Sequence, residues 1–215
     1  MNGFIWVAIM AAVAAVAAAA KNKGEPVKPS VPPDPSTPDP YTAPWPLPKP
    51  APLGPSASVG VHGDSFGVGI AGTLPWRKDL VSNSAVVGRP STAVQPLSDN
   101  VPMIRVLSAG TNDAAAGRTA AQVAAEVKRI LGAFAGTSQG KVAVILPHDK
   151  MGGQLGERCR ATASAIRSAV LELANPNVVA VPIRPSPAAS DKIHFDPAGY
   201  RQIGTDALRA LGETV

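Results

Sequence analysis

Apolar and polar positions divide the chain into three stretches with different rhythms. Residues 4–20 (FIWVAIMAAVAAVAAAA) are an unbroken apolar run of 17 residues without a charge or a polar face. Residues 26–55 have no period at all, because 13 prolines in 30 residues interrupt every apolar step. From residue 57 onward, short apolar runs alternate with segments of helical period. The runs Ser58–His62, Ala85–Val87, Met103–Leu107, Val142–Leu146 and Val178–Ile183 are almost wholly apolar. Strands of a parallel sheet, buried on both faces, have this pattern. Between them, Thr119 with Gln122 makes a capping box, and Val123, Val127, Ile130, Leu131 and Phe134 then fall on one helical face. Glu157–Ala174 reads as a second helix that Asn175-Pro176 ends. A third spans Pro197–Leu211, with Pro197 in the first turn and Gly212 at the end. Strands alternating with helices predict an α/β domain with right-handed crossovers and helices on both faces of the sheet. In such sheets ligands bind beyond the carboxyl ends of the strands, so chemistry is to be sought there.

Composition confirms that the three stretches are different materials. The chain of 215 residues is 45% hydrophobic but only 4% aromatic, with 23 prolines and one cysteine. Alanine in the first run inflates the apolar fraction, and the next stretch holds over half the prolines. The predicted organisation is therefore a hydrophobic membrane anchor or signal segment over 1–23, a proline-rich extended linker over 24–56, and a catalytic-sized domain over 57–215. As a helix, residues 4–20 would span about 25 Å, a little short of a hydrocarbon core of roughly 30 Å. Ala18 and Ala20 suit a signal-peptide cleavage site, but the basic n-region of a signal is missing. Lys21, Lys23 and Lys28 follow the run, so a retained anchor is the favoured reading, and the topology stays open. Proline fixes φ and lacks a donor, which predicts an extended spacer for 24–56. The expected location is membrane-anchored or exported, at a cell envelope, outside the cell or on a virion.

The domain of 159 residues carries 16 basic and 12 acidic side chains without clustering, which gives no nucleic-acid footprint. A single cysteine excludes a disulfide framework within the chain and any Cys-based zinc site. Chemistry is concentrated in the loops that follow strands. The first strand runs into Gly63-Asp64-Ser65-Phe66-Gly67-Val68-Gly69, a serine at a glycine-flanked strand-to-helix turn. Such a turn exposes the hydroxyl and aims helix N-terminal N–H groups at a developing anion. A phosphate cradle is the competing reading, but no G-K-[ST] follows. The third strand runs into Gly110-Thr111-Asn112-Asp113, where Asn112 can donate its amide and Asp113 can cap or orient the loop. After the last strand come Asp191-Lys192-Ile193-His194, a general-base histidine with a carboxylate three residues before it. Ser, Asp, His is also the chain order of several α/β hydrolases. His148 follows the fourth strand on the same face, in a position to touch substrate, and Trp76, Arg77 and Lys78 can form a rim.

In combination these blocks resemble the SGNH hydrolase family, the GDSL-type esterases and lipases, over essentially all of 57–215. GDSFGVG resembles the family's nucleophile block, Asn83–Arg89 its second block, GTND its third and DKIH its last. The resemblance implies a flavodoxin-like three-layer α/β/α sandwich with a five-stranded, mostly parallel sheet. It also implies Ser65 as nucleophile, His194 as base and Asp191 as the residue that orients His194. The oxyanion hole would be the Ser65 and Gly88 N–H groups with the Asn112 side chain, and no metal or cofactor is needed. The expected reaction is hydrolysis of carboxylic esters through an acyl-enzyme, with O-acetyl groups on envelope or extracellular polysaccharide as the expected substrate. Lysophospholipase or thioesterase chemistry is the enzymatic alternative. An attachment protein of a virion or cell envelope that uses the domain for binding is the alternative of another class.

Overall fold

The computed structural model describes residues 38–98, 103–135, 139–187 and 193–215. The apolar run 4–20, the first part of the proline-rich stretch and Asp191 lie outside the described residues. No helix among the described residues is long and apolar enough to cross a membrane.

Five strands form one sheet: β1 (Val59–Gly63), β2 (Val81–Asn83), β3 (Ile104–Ser108), β4 (Lys141–Ile145) and β5 (Val178–Val181). Their order is β2-β1-β3-β4-β5, and all four pairings are parallel. Helices α1 (Ser65–Thr73) and α5 (Pro197–Ala210) cover one face; α3 (Ala120–Ile130) and α4 (Gly153–Glu172) cover the other. Short α2 (Thr111–Ala115) follows β3. Alternate strand residues serve the two faces. Val59, Val61, Val106 and Ile145 meet α1 and α5, whereas Leu107, Val142 and Val144 meet α3 and α4. This is why the strands read as continuous apolar runs. The capping box at Thr119 is present as predicted: Gln122 N–H donates to its hydroxyl and the Gln122 side-chain Oε1 accepts the Thr119 N–H.

Three expectations change. The second helix begins at Gly153, four residues before Glu157, and ends at Glu172 rather than Ala174. The second strand is Val81–Asn83, not Ala85–Val87; beyond it the Ser84 and Val86 N–H groups still donate to the Val61 and Gly63 carbonyls at 2.8 and 2.9 Å, while Asn83 Oδ1 accepts the Ala85 N–H at 2.9 Å. Val86, which made that stretch look like core, is 48% exposed. The sheet is also parallel throughout rather than mostly so.

From residue 38 to 55 the proline-rich stretch lies against the domain beside β5, an edge strand. Tyr41 donates its hydroxyl to the Pro147 carbonyl at 2.9 Å. Arg167 reaches the carbonyls of Ala43 and Pro44, with its guanidinium 5.2 Å from the Trp45 ring centroid. At the other end of the sheet, the Leu53 and Gly54 N–H groups bind the Glu213 carboxylate, which also pairs with buried Lys141 at 2.6 Å. Prolines have no N–H to offer a neighbouring strand, so this stretch covers the edge without extending the sheet.

Candidate active site

β1 pairs with β2 on one side and β3 on the other, so the chain reverses its direction of sheet growth between β1 and β3. The loops after these two strands leave the sheet side by side, since Gly63 is opposite Ser108 in register. A crevice opens at such a switch point. The serine and asparagine blocks are the two loops that flank it.

Gly63 starts the first loop with φ +112°, and a Cβ there would lie 1.8 Å from the Ser108 carbonyl oxygen. Only glycine fits so close to β3 in that conformation. Asp64 is the N-cap of α1, and its Oδ1 accepts the Phe66 N–H at 3.1 Å. Ser108, at the end of β3, completes the turn. Its hydroxyl donates to Asp64 Oδ1 at 2.7 Å and accepts the N–H groups of Asp64 and Gly67 at 3.2 and 2.9 Å. Phe66 and Gly67 N–H groups are thereby spoken for, while Ser65 N–H has no bond to a described residue. Burial pushes the Asp64 carboxyl above its ordinary range, against the pull of the Ser108 and Phe66 bonds.

His194 Nε2 lies 3.1 Å from Ser65 Oγ, within hydrogen-bond reach. The serine is 8% exposed and the histidine 3%, so the pair sits in a nearly dry site. His194 stands just before α5, whose N-cap Asp196 accepts the Gly199 N–H at 2.7 Å. Proline at the first turn and that cap fix where the helix begins, and so where the histidine loop ends.

His148, expected in a position to touch substrate, is instead wholly buried beneath this loop. Its Nε2–H donates to the Ile193 carbonyl at 2.9 Å and its Nδ1 accepts the Lys150 N–H at 3.2 Å. These partners require the neutral ring, and burial lowers its pKa accordingly. Phe66 and Phe195 pack edge-on against it, at 5.8 and 5.2 Å between centroids. His148 therefore holds the histidine loop onto the serine turn.

Asn112 Nδ2 donates to the Arg89 carbonyl at 3.3 Å, which joins the third block to the turn that contains Gly88. Gly88 has φ +75° and is exposed. Asp113 anchors the same connection from below. Fully buried, it accepts the Ser91 N–H and hydroxyl, each at 2.9 Å, and the Arg118 guanidinium at 2.8 Å. Ser108 and His148 are the supporting residues that motif reading missed or misplaced. A hydroxyl at the end of a wholly buried apolar strand is the one signal that marks Ser108. Among the described residues, no group of three His, Cys, Asp or Glu side chains converges as a metal site would require. Cys159 is buried in α4 and its thiol pKa is pushed up to about 12, mainly by burial.

No family model and no curated protein sequence matches the chain. Solved structures do. A lipolytic protein of the G-D-S-L family from Veillonella parvula matches at TM-score 0.52 and 16% identity, over 72% of this chain and 97% of that one. Est24, a carbohydrate acetylesterase from Sinorhizobium meliloti, matches at TM-score 0.52 and 16% identity, over 73% of this chain and 99% of its own. The aryl esterase of M. smegmatis matches at TM-score 0.52 and 15% identity, over 72% and 97%. At these identities the likeness speaks to architecture. With the parallel sheet, its order and the serine turn after β1, it establishes that the chain has the fold of the SGNH, or GDSL-type, hydrolases.

Proposed function

We propose that the chain is a serine esterase that cleaves carboxylic esters through an acyl-enzyme on Ser65. The observation that carries this reading is the 3.1 Å approach of His194 Nε2 to Ser65 Oγ at the N-terminus of α1. In the reaction, Ser65 Oγ attacks the ester carbonyl while His194 Nε2 takes its proton. The carbonyl oxygen becomes an oxyanion, for which the Ser65 N–H, the Gly88 N–H and the Asn112 amide are the assigned donors. His194 then protonates the departing alcohol. In the second half, water gives a proton to His194 and attacks the acyl carbon; the C–Oγ bond then breaks, His194 returns the proton to Ser65 Oγ, and the acid and free enzyme are released. Asp191 is assigned to hold His194 in the tautomer whose Nε2 can accept; it lies outside the described residues.

For the substrate, O-acetyl groups on envelope or extracellular polysaccharide fit best. An apolar run and a proline-rich stretch ahead of the domain suit an enzyme held at a surface, and Est24, of the same fold, is a carbohydrate acetylesterase. On this reading the protein is membrane-anchored or exported.

The test is hydrolysis of nitrophenyl acetate by the full chain against a Ser65→Ala control, followed by acetate release from an acetylated polysaccharide. Loss of an oxyanion donor in Asn112→Ala should lower kcat on the order of a hundredfold. Turnover that survives in folded Ser65→Ala protein sinks the esterase reading.

A further inference from the structure

An open groove of about 1030 Å³ runs between α1 and the first turns of α5. Val68, Gly69 and Gly72 of α1 line it, and with Ser65 they fall at i, i+3, i+4 and i+7. That spacing places all four on one stripe of the helix, so the groove begins about one turn from the nucleophile and follows the axis for roughly 8 Å to Thr73. Its other wall is Pro197, Ala198 and Arg201, a few residues after His194. α1 leads away from the catalytic loops, so the groove runs from one turn beyond the nucleophile toward the opposite end of β1, where Trp76, Pro55 and Thr214 line it, and its size exceeds what an acetyl group needs. It matches the upper end of small-molecule sites, with room for several sugar rings.

The lining has a definite chemistry. Trp76 stands in the wall, half-buried and held by its Nε1–H, which donates to the Ala57 carbonyl at 2.9 Å. An immobilised indole suits the apolar face of a sugar, since little side-chain freedom is lost on binding. Arg77, Lys78 and Arg201 surround it, and no carboxylate side chain lines the groove. Asp79 neutralises Arg77 at 2.6 Å, but neither Lys78 nor Arg201 has an ion-pair partner among the described residues. Lys78 is bound only to the Gly72 carbonyl, at 3.3 Å, and both cations are exposed. The rim therefore has a net positive charge that a ligand can complement.

We infer that this groove binds a stretch of anionic polysaccharide that runs on along α1, several rings away from the ester-bearing sugar, so that the substrate of the proposed esterase is an acidic glycan. The inference rests on the esterase reading for its catalytic consequence and on the groove alone for binding. An anionic membrane surface would also answer the cations. Yet a bilayer is met by exposed apolar side chains, and the large ones among the described residues are Val86 and Val215, neither in the groove lining.

The experiment uses full-length Ser65→Ala protein and measures binding to polygalacturonate and to its neutral, fully methyl-esterified counterpart at low and high salt. Polygalacturonate should bind more tightly, lose affinity with salt, and bind about tenfold more weakly to the Lys78→Ala/Arg201→Ala variant, as expected for two exposed ionic contacts. Equal binding of the neutral polymer, or no loss in the double variant, overturns the inference. So does Lys78- and Arg201-dependent binding to phosphatidylglycerol vesicles without binding to polygalacturonate, which would make the occupant a lipid surface. In protein with Ser65 intact, the double substitution should raise KM for acetylated polygalacturonate and leave nitrophenyl acetate turnover unchanged. A wild type inactive on nitrophenyl acetate removes the esterase reading but not the groove, which the binding arm decides separately.

Discussion

Ser108→Ala is the most informative single change to the serine turn. The hydroxyl is 1% exposed and serves three groups: Asp64 Oδ1, Asp64 N–H and Gly67 N–H. Each buried group left unpaired costs about 1–3 kcal/mol. The losses do not add fully, because Asp64 keeps its bond to Phe66, so the expected destabilisation is about 2–5 kcal/mol. For a chain of this size that lowers Tm by roughly 5–15 °C. The Ser108 bond also opposes the rise that burial imposes on the Asp64 carboxyl. Without it, the folded-state pKa moves further above the ordinary value of 3.8. A carboxyl raised in the folded state binds its proton more readily there than when unfolded. Stability then falls as pH rises from that ordinary value through the folded one, and the whole cost persists above it. The variant's deficit should accordingly be larger at about pH 7 than at about pH 4. Urea unfolding at both pH values, with nitrophenyl acetate kinetics on the folded fraction, reads these effects. A displaced Ser65 should lower kcat by about 10–100-fold with little change in KM. A variant within about 0.5 kcal/mol of wild type at both pH values, with unchanged kcat, refutes the assignment of Ser108 as the anchor of the turn.

Other changes test the supports of the site. Because burial lowers the His148 pKa, the unfolded chain binds the extra proton below the ordinary value of 6.5, and stability should be lost as pH falls through and below it. His148→Phe should remove that acid sensitivity in urea unfolding while lowering kcat, since the imidazole bonds to the Ile193 carbonyl and the Lys150 N–H are lost. Asp113→Ala leaves Arg118 and the Ser91 turn without their anchor and should cost about 3 kcal/mol, with a fall in kcat as the Gly88 turn loosens. Glu213→Ala leaves buried Lys141 uncompensated and frees the Leu53 and Gly54 N–H groups, for a loss of about 3–5 kcal/mol in urea unfolding with kcat of the folded protein unchanged.

Local chemistry carried much of this structure. Strands buried on both faces must be apolar throughout, so β1, β3, β4 and β5 stood out in the sequence to within a residue or two. Capping and proline rules likewise placed α3 and α5. The serine turn was readable because glycine is the only residue that allows β1 to end against β3. Three features depended on packing instead. The edge strand β2 is three residues long and barely buried, so apolarity marked the wrong segment. His148 and Ser108 act through partners 45 and 44 residues away in sequence, and no local pattern encodes such pairs. The proline-rich stretch showed only that it could form neither helix nor ladder. That residues 38–55 lie against the domain follows from Arg167, Pro147 and Glu213, groups that meet it only once the sheet has assembled.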